Sequence, residues 1–212
     1  MKKKVRIGIL GCADVAKRHA INAFQSLDNA EVASIASRDY SKAKEWASLF
    51  GIAAELSYDA LLANKNIDAV YIPLPIGLHK KWVLKAAQAG KHIICEKSLA
   101  ESFGSVKEIV DKCRSKDLVL YENFMCDFHP QHKKVMSLIK KGEIGKPFVF
   151  RSFYGFPPFD KNNIRYNKKL GASVGTGIAA AALFAAPALA LVGTSGLANN
   201  AVTSAKIANR TI

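Results

Sequence analysis

The stretch Gly8-Ile9-Leu10-Gly11-Cys12-Ala13-Asp14-Val15-Ala16 decides how the first half of the chain is read. It overlaps the short apolar run Val5–Leu10, which has the length and composition of a strand buried in a parallel sheet. Beyond it, Ala16, Ala20, Ala23, Phe24 and Leu27 recur three and four residues apart and predict one apolar face of a helix. A strand, a glycine-bearing turn and a helix in that order are the setting of a dinucleotide fingerprint. Counted from Gly11 the spacing is G-x-A-x-x-A, with Ala13 in place of the usual second glycine. Gly11 permits the tight turn, and the helix N-terminus offers N–H groups and positive dipole to a pyrophosphate. Gly8, Gly11, Cys12, Ala13, Asp14 and Val15 are therefore candidate cofactor-binding residues, with the methyl of Ala13 holding the phosphate slightly further off.

Working outward, residues 31–36 predict a second strand and 41–50 a helix, with Ser41 as its N-cap and Gly51 as its stop. A short helix over 58–64 precedes a strand over 69–74, and a helix over 78–89 ends at Gly90. Residues 92–95 read as a strand, Val106, Ile109, Val110 and Cys113 as one helix face, and 118–121 as a further strand. This succession predicts an α/β fold, a Rossmann-type doubly wound parallel sheet occupying residues 1–122. A flavodoxin-type sheet shares the alternation, so the motifs have to discriminate. Past Tyr121 the pattern changes. Pro130 suits the first turn of a helix striped by Val135, Leu138 and Ile139, Gly142 and Gly145 bound a turn, and 148–156 reads as an aromatic strand. One strand makes no sheet, so 123–171 reads as the start of an incomplete α+β substrate domain.

The formal net charge is +14, and all 17 acidic residues lie at or before Asp160. A basic surface suits a dinucleotide phosphate, a nucleotide-sugar or nucleic acid. The basic residues are interspersed with Asp and Glu as on a solvated helix face, so specific nucleic-acid binding is not expected. Cys12, Cys95, Cys113 and Cys126 show no paired spacing, which argues against a disulfide framework or zinc site and for a cytoplasmic chain. His129 and His132 have no carboxylates at ligand spacing, and no metal is expected. The three lysines after Met1 faintly suggest a secretion signal, but Arg6 interrupts the apolar run and Asp14 follows soon after.

From Gly171 onward the only charged side chains are Lys206 and Arg210, and 178–192 is an apolar run dominated by alanine. With Lys168 and Lys169 before it and Ala188-Leu189-Ala190 within it, this run is like a secretory signal's hydrophobic core set inside the chain. Alanine contributes little, Pro187 interrupts, and a membrane span wants about 20 strongly apolar residues. Residues 172–212 are therefore expected to be an extension foreign to the preceding domain, with membrane association through 178–192, or some other ordered element, as the alternatives.

At the end of the second predicted strand stands Ser37-Arg38-Asp39. An NAD site ends this strand with an acid that binds the ribose hydroxyls. Here Ser37 and Arg38 come first, and arginine can hold a 2′-phosphate, which favours NADP over NAD. Asp39 remains within reach of a ribose in this reading.

Pro73-Leu74-Pro75-Ile76-Gly77-Leu78-His79, followed by Gly90-Lys91-His92-Ile93-Ile94-Cys95-Glu96-Lys97, resembles two successive signatures of the Gfo/Idh/MocA oxidoreductases, at the family's spacing. The likeness continues through Tyr121-Glu122-Asn123-Phe124-Met125, His129-Pro130-Gln131-His132, the run 151–158 and Asn162 to Gly171. The resemblance implies hydride transfer between NADP, or NAD, and a hydroxyl or carbonyl of a sugar or nucleotide-linked ketosugar. It implies cofactor contacts at Pro73, Leu74, Pro75, His79, Glu96, Lys97 and Asn123, and substrate contacts at Lys97, Arg165 and Tyr166. Lys97 is the implied catalytic residue, polarising the reacting oxygen or relaying its proton beside the nicotinamide. A lysine next to that positive ring has its charged form disfavoured and so exchanges protons near neutral pH. Ser98 stands where the family has proline. Family members continue past the equivalent of Gly171 with an Asp-x-Gly-x-His or Tyr segment that supplies a second catalytic group. Here no Asp, His or Tyr follows Tyr166. The expectation is a chain that keeps its cofactor contacts, turns over weakly or not at all, and lacks most of the family's oligomer interface. A non-catalytic dinucleotide-binding module is the alternative.

Overall fold

The computed structural model describes residues 4–124, 128–148, 160, 162–167 and 170–171. The chain divides into two compact units, Met1–Glu122 and Asn123–Ile212. The first is built on a six-stranded sheet of β1 (Val5–Leu10), β2 (Ala30–Ala36), β3 (Ala53–Glu55), β4 (Ala69–Ile72), β5 (His92–Glu96) and β6 (Leu120–Asn123). The order across the sheet is β3-β2-β1-β4-β5-β6, and the pairs β1–β2, β1–β4, β2–β3 and β4–β5 are parallel. This is the Rossmann order, and it separates the chain from the flavodoxin-type alternative. The order reverses between β1 and β4, which opens a crevice at the carboxyl ends of those strands.

β4 is buried along its whole length, as a strand covered on both faces should be. Arg6 in β1, which breaks the apolar run of the sequence, is used at the opposite, amino edge. Its backbone N–H and Nε both donate to Asp68 Oδ2 at 2.9 Å, and Nη2 donates to Oδ1 at 2.8 Å, fastening β1 to the start of β4.

The helix after β1 departs from the periodicity read in the sequence. A π-helical turn, Ala16–Ala20, runs directly into α1 (Ile21–Gln25), and Ile21 N–H donates to Ala16 O five residues back. The extra residue rephases the buried face. Ala16 and Ile21 are buried, whereas Ala23 and Leu27, expected on that face, are exposed. α2 (Tyr40–Phe50) also starts differently. Its N-cap is Asp39, whose carboxylate accepts from Ser41 N and Lys42 N, and not Ser41. Gly51 ends it in the left-handed conformation at φ 65°, as expected. The edge strand β3 is a three-residue segment too short for any periodic signal. α3 (Tyr58–Ala63), α4 (Ile76–Gln88) and α5 (Phe103–Ser115) complete the layers, and Tyr58 meets Trp82 edge-on at 4.8 Å between ring centroids.

Gly8 lies within β1 with its face against α3. A Cβ there would stand 2.6 Å from Leu61 Cδ2 and 3.2 Å from Ile67 Cγ2. Gly8→Ala is expected to lower stability by about 1–2 kcal/mol through overpacking, read as a drop in the denaturant midpoint with the slope unchanged.

The described thiols differ in access. Cys12 is half-buried, while Cys95 and Cys113 are buried. Burial pushes Cys113 up from 9.0 to about 11, and burial, with Glu122 and Glu96 adding, raises Cys95 well above the thiol range. Among these three, Cys12 is therefore expected to alkylate first at neutral pH. Because the folded values are raised, stability is undiminished below the ordinary thiol pKa and falls as pH climbs towards about 11. Site-resolved alkylation by mass spectrometry and an alkaline melting series check both statements.

In the second unit, α6 (Pro130–Lys140) begins with Pro130 in its first turn, and His129 is its N-cap, with Nδ1 accepting from Gln131 N at 3.2 Å. Of its predicted apolar stripe, Leu138 and Ile139 are half-buried and Val135 is exposed. A 3-10 turn covers Ile164–Tyr166. The aromatic run 148–156 beyond Phe148, and all of 172–212, lie outside the described residues. Among the described residues, no helix is long and apolar enough to cross a membrane, and no cluster of three or more His, Cys, Asp or Glu is arranged for a metal ion.

Candidate functional site

β1 ends at Gly11, whose φ of 121° is open to glycine and strained for any L-residue. Its N–H donates to Ala36 O at 2.9 Å, which fixes the turn against the end of β2. A Cβ at Gly11 would lie 2.8 Å from Leu74 Cδ2 and 3.6 Å from the Tyr58 hydroxyl. The bare glycine is thus floored by side chains from two further elements. The chain then passes through Cys12 and Ala13 into the helical run, where Ala16 N and Lys17 N both return to Ala13 O, at 2.9 and 3.2 Å. The leading amides of such a run have no acceptor inside the helix. A turn without a Cβ beside such amides fits a pyrophosphate.

At the end of β2 the Ser37 hydroxyl lies beside the Cys12 thiol and opposes the rise that burial gives the thiol pKa. Ser37 Oγ accepts from Asp39 N at 3.2 Å, and Asp39 Oδ1 accepts from Ser41 N at 2.9 Å and Lys42 N at 3.3 Å. The Asp39 carboxylate, read from sequence as within reach of a ribose, caps α2 through its Oδ1. Arg38 is exposed, and its backbone lies beside the Tyr58 phenol. Burial raises the Tyr58 pKa while the Arg38 charge opposes it. Sequence reading missed Tyr58, whose one signal was a polar-tipped aromatic in the first turn of a predicted helix. A shallow cleft lined by Asp14, Lys17, Asp39, Lys42 and Trp46 adjoins this end, with Lys17 and Lys42 each 5.6 Å from the Trp46 ring centroid.

After β4, Pro73 is buried and Leu74 and Pro75 are half-buried. His79, in the first turns of α4, has 0% exposure, with Nε2 2.6 Å from Leu74 O and Nδ1 2.8 Å from Ser98 O. Both ring nitrogens face backbone carbonyls, and the ring is sealed from the surface. Gly8 sits inside β1 and not in the turn. At the end of β5, Glu96 Oε1 accepts from the Tyr71 hydroxyl at 2.7 Å, and Lys97, the next residue, is exposed. The Lys97–Ser98 peptide bond is cis. Leu99 N donates to Glu122 Oε1 at 3.0 Å, so Glu122, another residue the sequence did not single out, ties this loop to β6. Asn123 is half-buried at the carboxyl end of β6. Tyr166 is exposed in the 3-10 turn of the second unit, where the backbone of Arg165 also lies. Gly11, Cys12, Ser37 and Leu74 thus stand together, while Glu96, Lys97 and Asn123 lie at the same carboxyl edge of the sheet.

Residues 5–124 match the family described as an oxidoreductase family with an NAD-binding Rossmann fold. The chain belongs to the Gfo/Idh/MocA oxidoreductases. Among relatives of this family, a dTDP-3,4-didehydro-2,6-dideoxy-alpha-D-glucose 3-reductase of Saccharopolyspora spinosa is 42% identical over 171 residues, 81% of this chain and 52% of the relative. A D-xylose 1-dehydrogenase (NADP(+)) of Haloferax volcanii is 41% identical over 79% of this chain and 52% of its own length. The chain therefore spans about half the length of the curated relatives it matches. A crystal structure of a 3-ketoreductase from Actinomadura kijaniata, in complex with NADP and TDP-benzene, superposes with a TM-score of 0.80 at 36% identity. It covers 90% of this chain and 58% of that one.

Proposed function

We propose that this Gfo/Idh/MocA chain is the cofactor-binding part of an NADP-dependent oxidoreductase acting on a sugar or nucleotide-linked sugar. The observation that carries this reading is the placement of Lys97, exposed at the end of β5, on the same sheet edge as the bare Gly11 turn. Support for the substrate class comes from the dTDP-sugar 3-reductases among the relatives, and for the cofactor from the NADP complex of the Actinomadura 3-ketoreductase.

The bound nicotinamide supplies or accepts the hydride. The Gly11 turn and the amides of Ala13 to Val15 receive the pyrophosphate, and Ser37 and Arg38 receive the 2′-phosphate. Glu96 is held by Tyr71 beneath the loop that presents Lys97. The Lys97 ammonium hydrogen-bonds the reacting oxygen, giving its proton when a carbonyl is reduced and taking it back in the reverse direction. Arg165 and Tyr166 are the proposed substrate-side residues of the second unit. Titration with NADPH and NADH, followed by nicotinamide fluorescence, tests the cofactor assignment. Tight NADPH and weak NADH binding is expected, and soluble, folded protein that binds neither would remove it.

A second reading, dinucleotide binding without catalysis, is favoured by one sequence observation. No Asp, Glu, His or Tyr follows Tyr166, so 167–212 holds no carboxylate, imidazole or phenol to act as a second acid–base group. Under it the chain binds NADPH normally yet reduces a dTDP-linked ketosugar no faster than its own Lys97→Met variant, by single-turnover absorbance. A rate that falls at least about a hundredfold on Lys97→Met, the range for a lost general acid, decides for the first reading.

A further inference from the structure

We propose that His79 is a positioning residue that clamps the Lys97 loop to the fingerprint side of the crevice. The proposal rests on the cofactor reading above and deepens it. His79 stands on α4. Its ring spans the gap between two loops, with Nε2 2.6 Å from Leu74 O after β4 and Nδ1 2.8 Å from Ser98 O after β5. Leu74 is also the residue whose side chain lies against the Gly11 turn, where a Cβ would meet its Cδ2 at 2.8 Å. Ser98 adjoins Lys97 in the chain. One buried ring therefore links the ends of β1, β4 and β5, and the spacing between the pyrophosphate turn and the Lys97 backbone passes through it.

The ring nitrogens face two carbonyl oxygens, which can only accept. A neutral imidazole carries a single N–H and satisfies one of them at a time. Burial lowers the pKa of His79, against the two carbonyls and the Glu96 charge, so the ring is neutral near physiological pH. The ring therefore hydrogen-bonds one loop and packs against the other, so its removal frees a buried carbonyl and leaves a gap between the two loops. The two contacts can be separated chemically. The amide nitrogen of Asn stands where Nδ1 does and can keep the Ser98 bond. The amide nitrogen of Gln stands where Nε2 does and can keep the Leu74 bond.

The test uses the full chain with two probes, NADPH and adenosine 2′,5′-bisphosphate, the latter lacking the nicotinamide half. His79→Leu is expected to weaken NADPH by about tenfold, the loss of one buried hydrogen bond, with adenosine bisphosphate affinity changed by less than about twofold. His79→Asn should recover most of the loss and His79→Gln little of it. In a Lys97→Met background His79→Leu should add less than about twofold, because the residue it positions is gone. Equal weakening of both probes, weakening of neither, equal rescue by Asn and Gln, or full additivity with Lys97→Met would each overturn the clamp. Should His79→Leu fail to fold, the Asn and Gln variants decide alone. If the parent chain binds neither probe, the cofactor reading fails, and hydrogen exchange then tests the clamp. The Leu99 amide should exchange faster in the Gln variant than in the Asn variant, and equal rates would overturn it.

Discussion

Gly11→Val is expected to remove NADPH binding at any concentration up to about a hundredfold above the parent Kd, and to leave a folded but weakened protein. Two independent features produce the effect. The φ of 121° at Gly11 lies where a β-branched side chain is most strongly disfavoured, a strain of about 1–3 kcal/mol. The new Cβ would also stand 2.8 Å from Leu74 Cδ2, so either the turn or the Leu74 side chain must shift. The Leu74 carbonyl is held 2.6 Å from the buried His79 ring, which leaves the side-chain tip as the part able to yield. The backbone strain is not relieved by that shift, and a turn that relaxes it, with two γ-methyls beside it, takes the space of the pyrophosphate. The Gly11 N–H also loses its line to Ala36 O, now 2.9 Å away, which loosens β1 from β2 at that edge. Calorimetric titration with NADPH and urea unfolding check the two parts. Binding within about threefold of the parent would show that the turn does not receive the cofactor.

What the sequence disclosed and what it withheld follow from how each feature is encoded. The strands themselves were legible because β1, β2, β4 and β5 are apolar runs bounded by helix faces, while their order across the sheet rested on the motifs, beginning with the glycine at the end of β1. The bounds of α4 were legible within two residues, and the predicted face of α5 falls inside Phe103–Ser115, for the same reason. β3 was not, since three residues at an edge bury too little to leave a pattern. The face of the first helix was misread because a π turn inserts one residue without altering composition, and periodicity counted at 3.6 has no means to register it. The cap of α2 was misassigned between two residues that both favour N-caps, Asp39 and Ser41, where only backbone geometry discriminates. At the candidate site, the residue types were legible but their division of labour was not. His79 looks like a ligand-binding histidine in a motif and is a sealed bridge between two carbonyls. Tyr58 and Glu122 look like ordinary helix and strand residues, yet one floors the Gly11 turn and the other ties down the loop after Lys97. Such roles depend on contacts across the sheet, which one sequence does not display.

Arg38→Ala is expected to weaken NADPH by about 10–100-fold while changing NADH by less than about threefold, since a charge-assisted hydrogen bond contributes about 1.5–3 kcal/mol. The direction depends on what Asp39 does. An aspartate free at the end of β2 would accept the ribose hydroxyls of NAD and repel a 2′-phosphate. Here its Oδ1 is held by the amides of Ser41 and Lys42, and its charge faces the positive end of α2. Ser37 is likewise fixed, by the Asp39 amide on one side and Cys12 on the other. The exposed Arg38 guanidinium is then the charge that joins Ser37 at the 2′-phosphate, and its removal should act on the phosphorylated cofactor alone. Asp39→Asn supplies the complementary arm, because asparagine caps helices as well as aspartate does and should preserve both α2 and the NADPH preference. The slope of log Kd against log salt for NADPH should also flatten in Arg38→Ala, as one phosphate contact is lost. Equal loss of NADPH and NADH in Arg38→Ala would mean that the side chain supports the adenosine generally and reads no 2′-phosphate. A shift towards NADH in Asp39→Asn would mean that the carboxylate, despite its place in the cap, had been setting the preference through its charge.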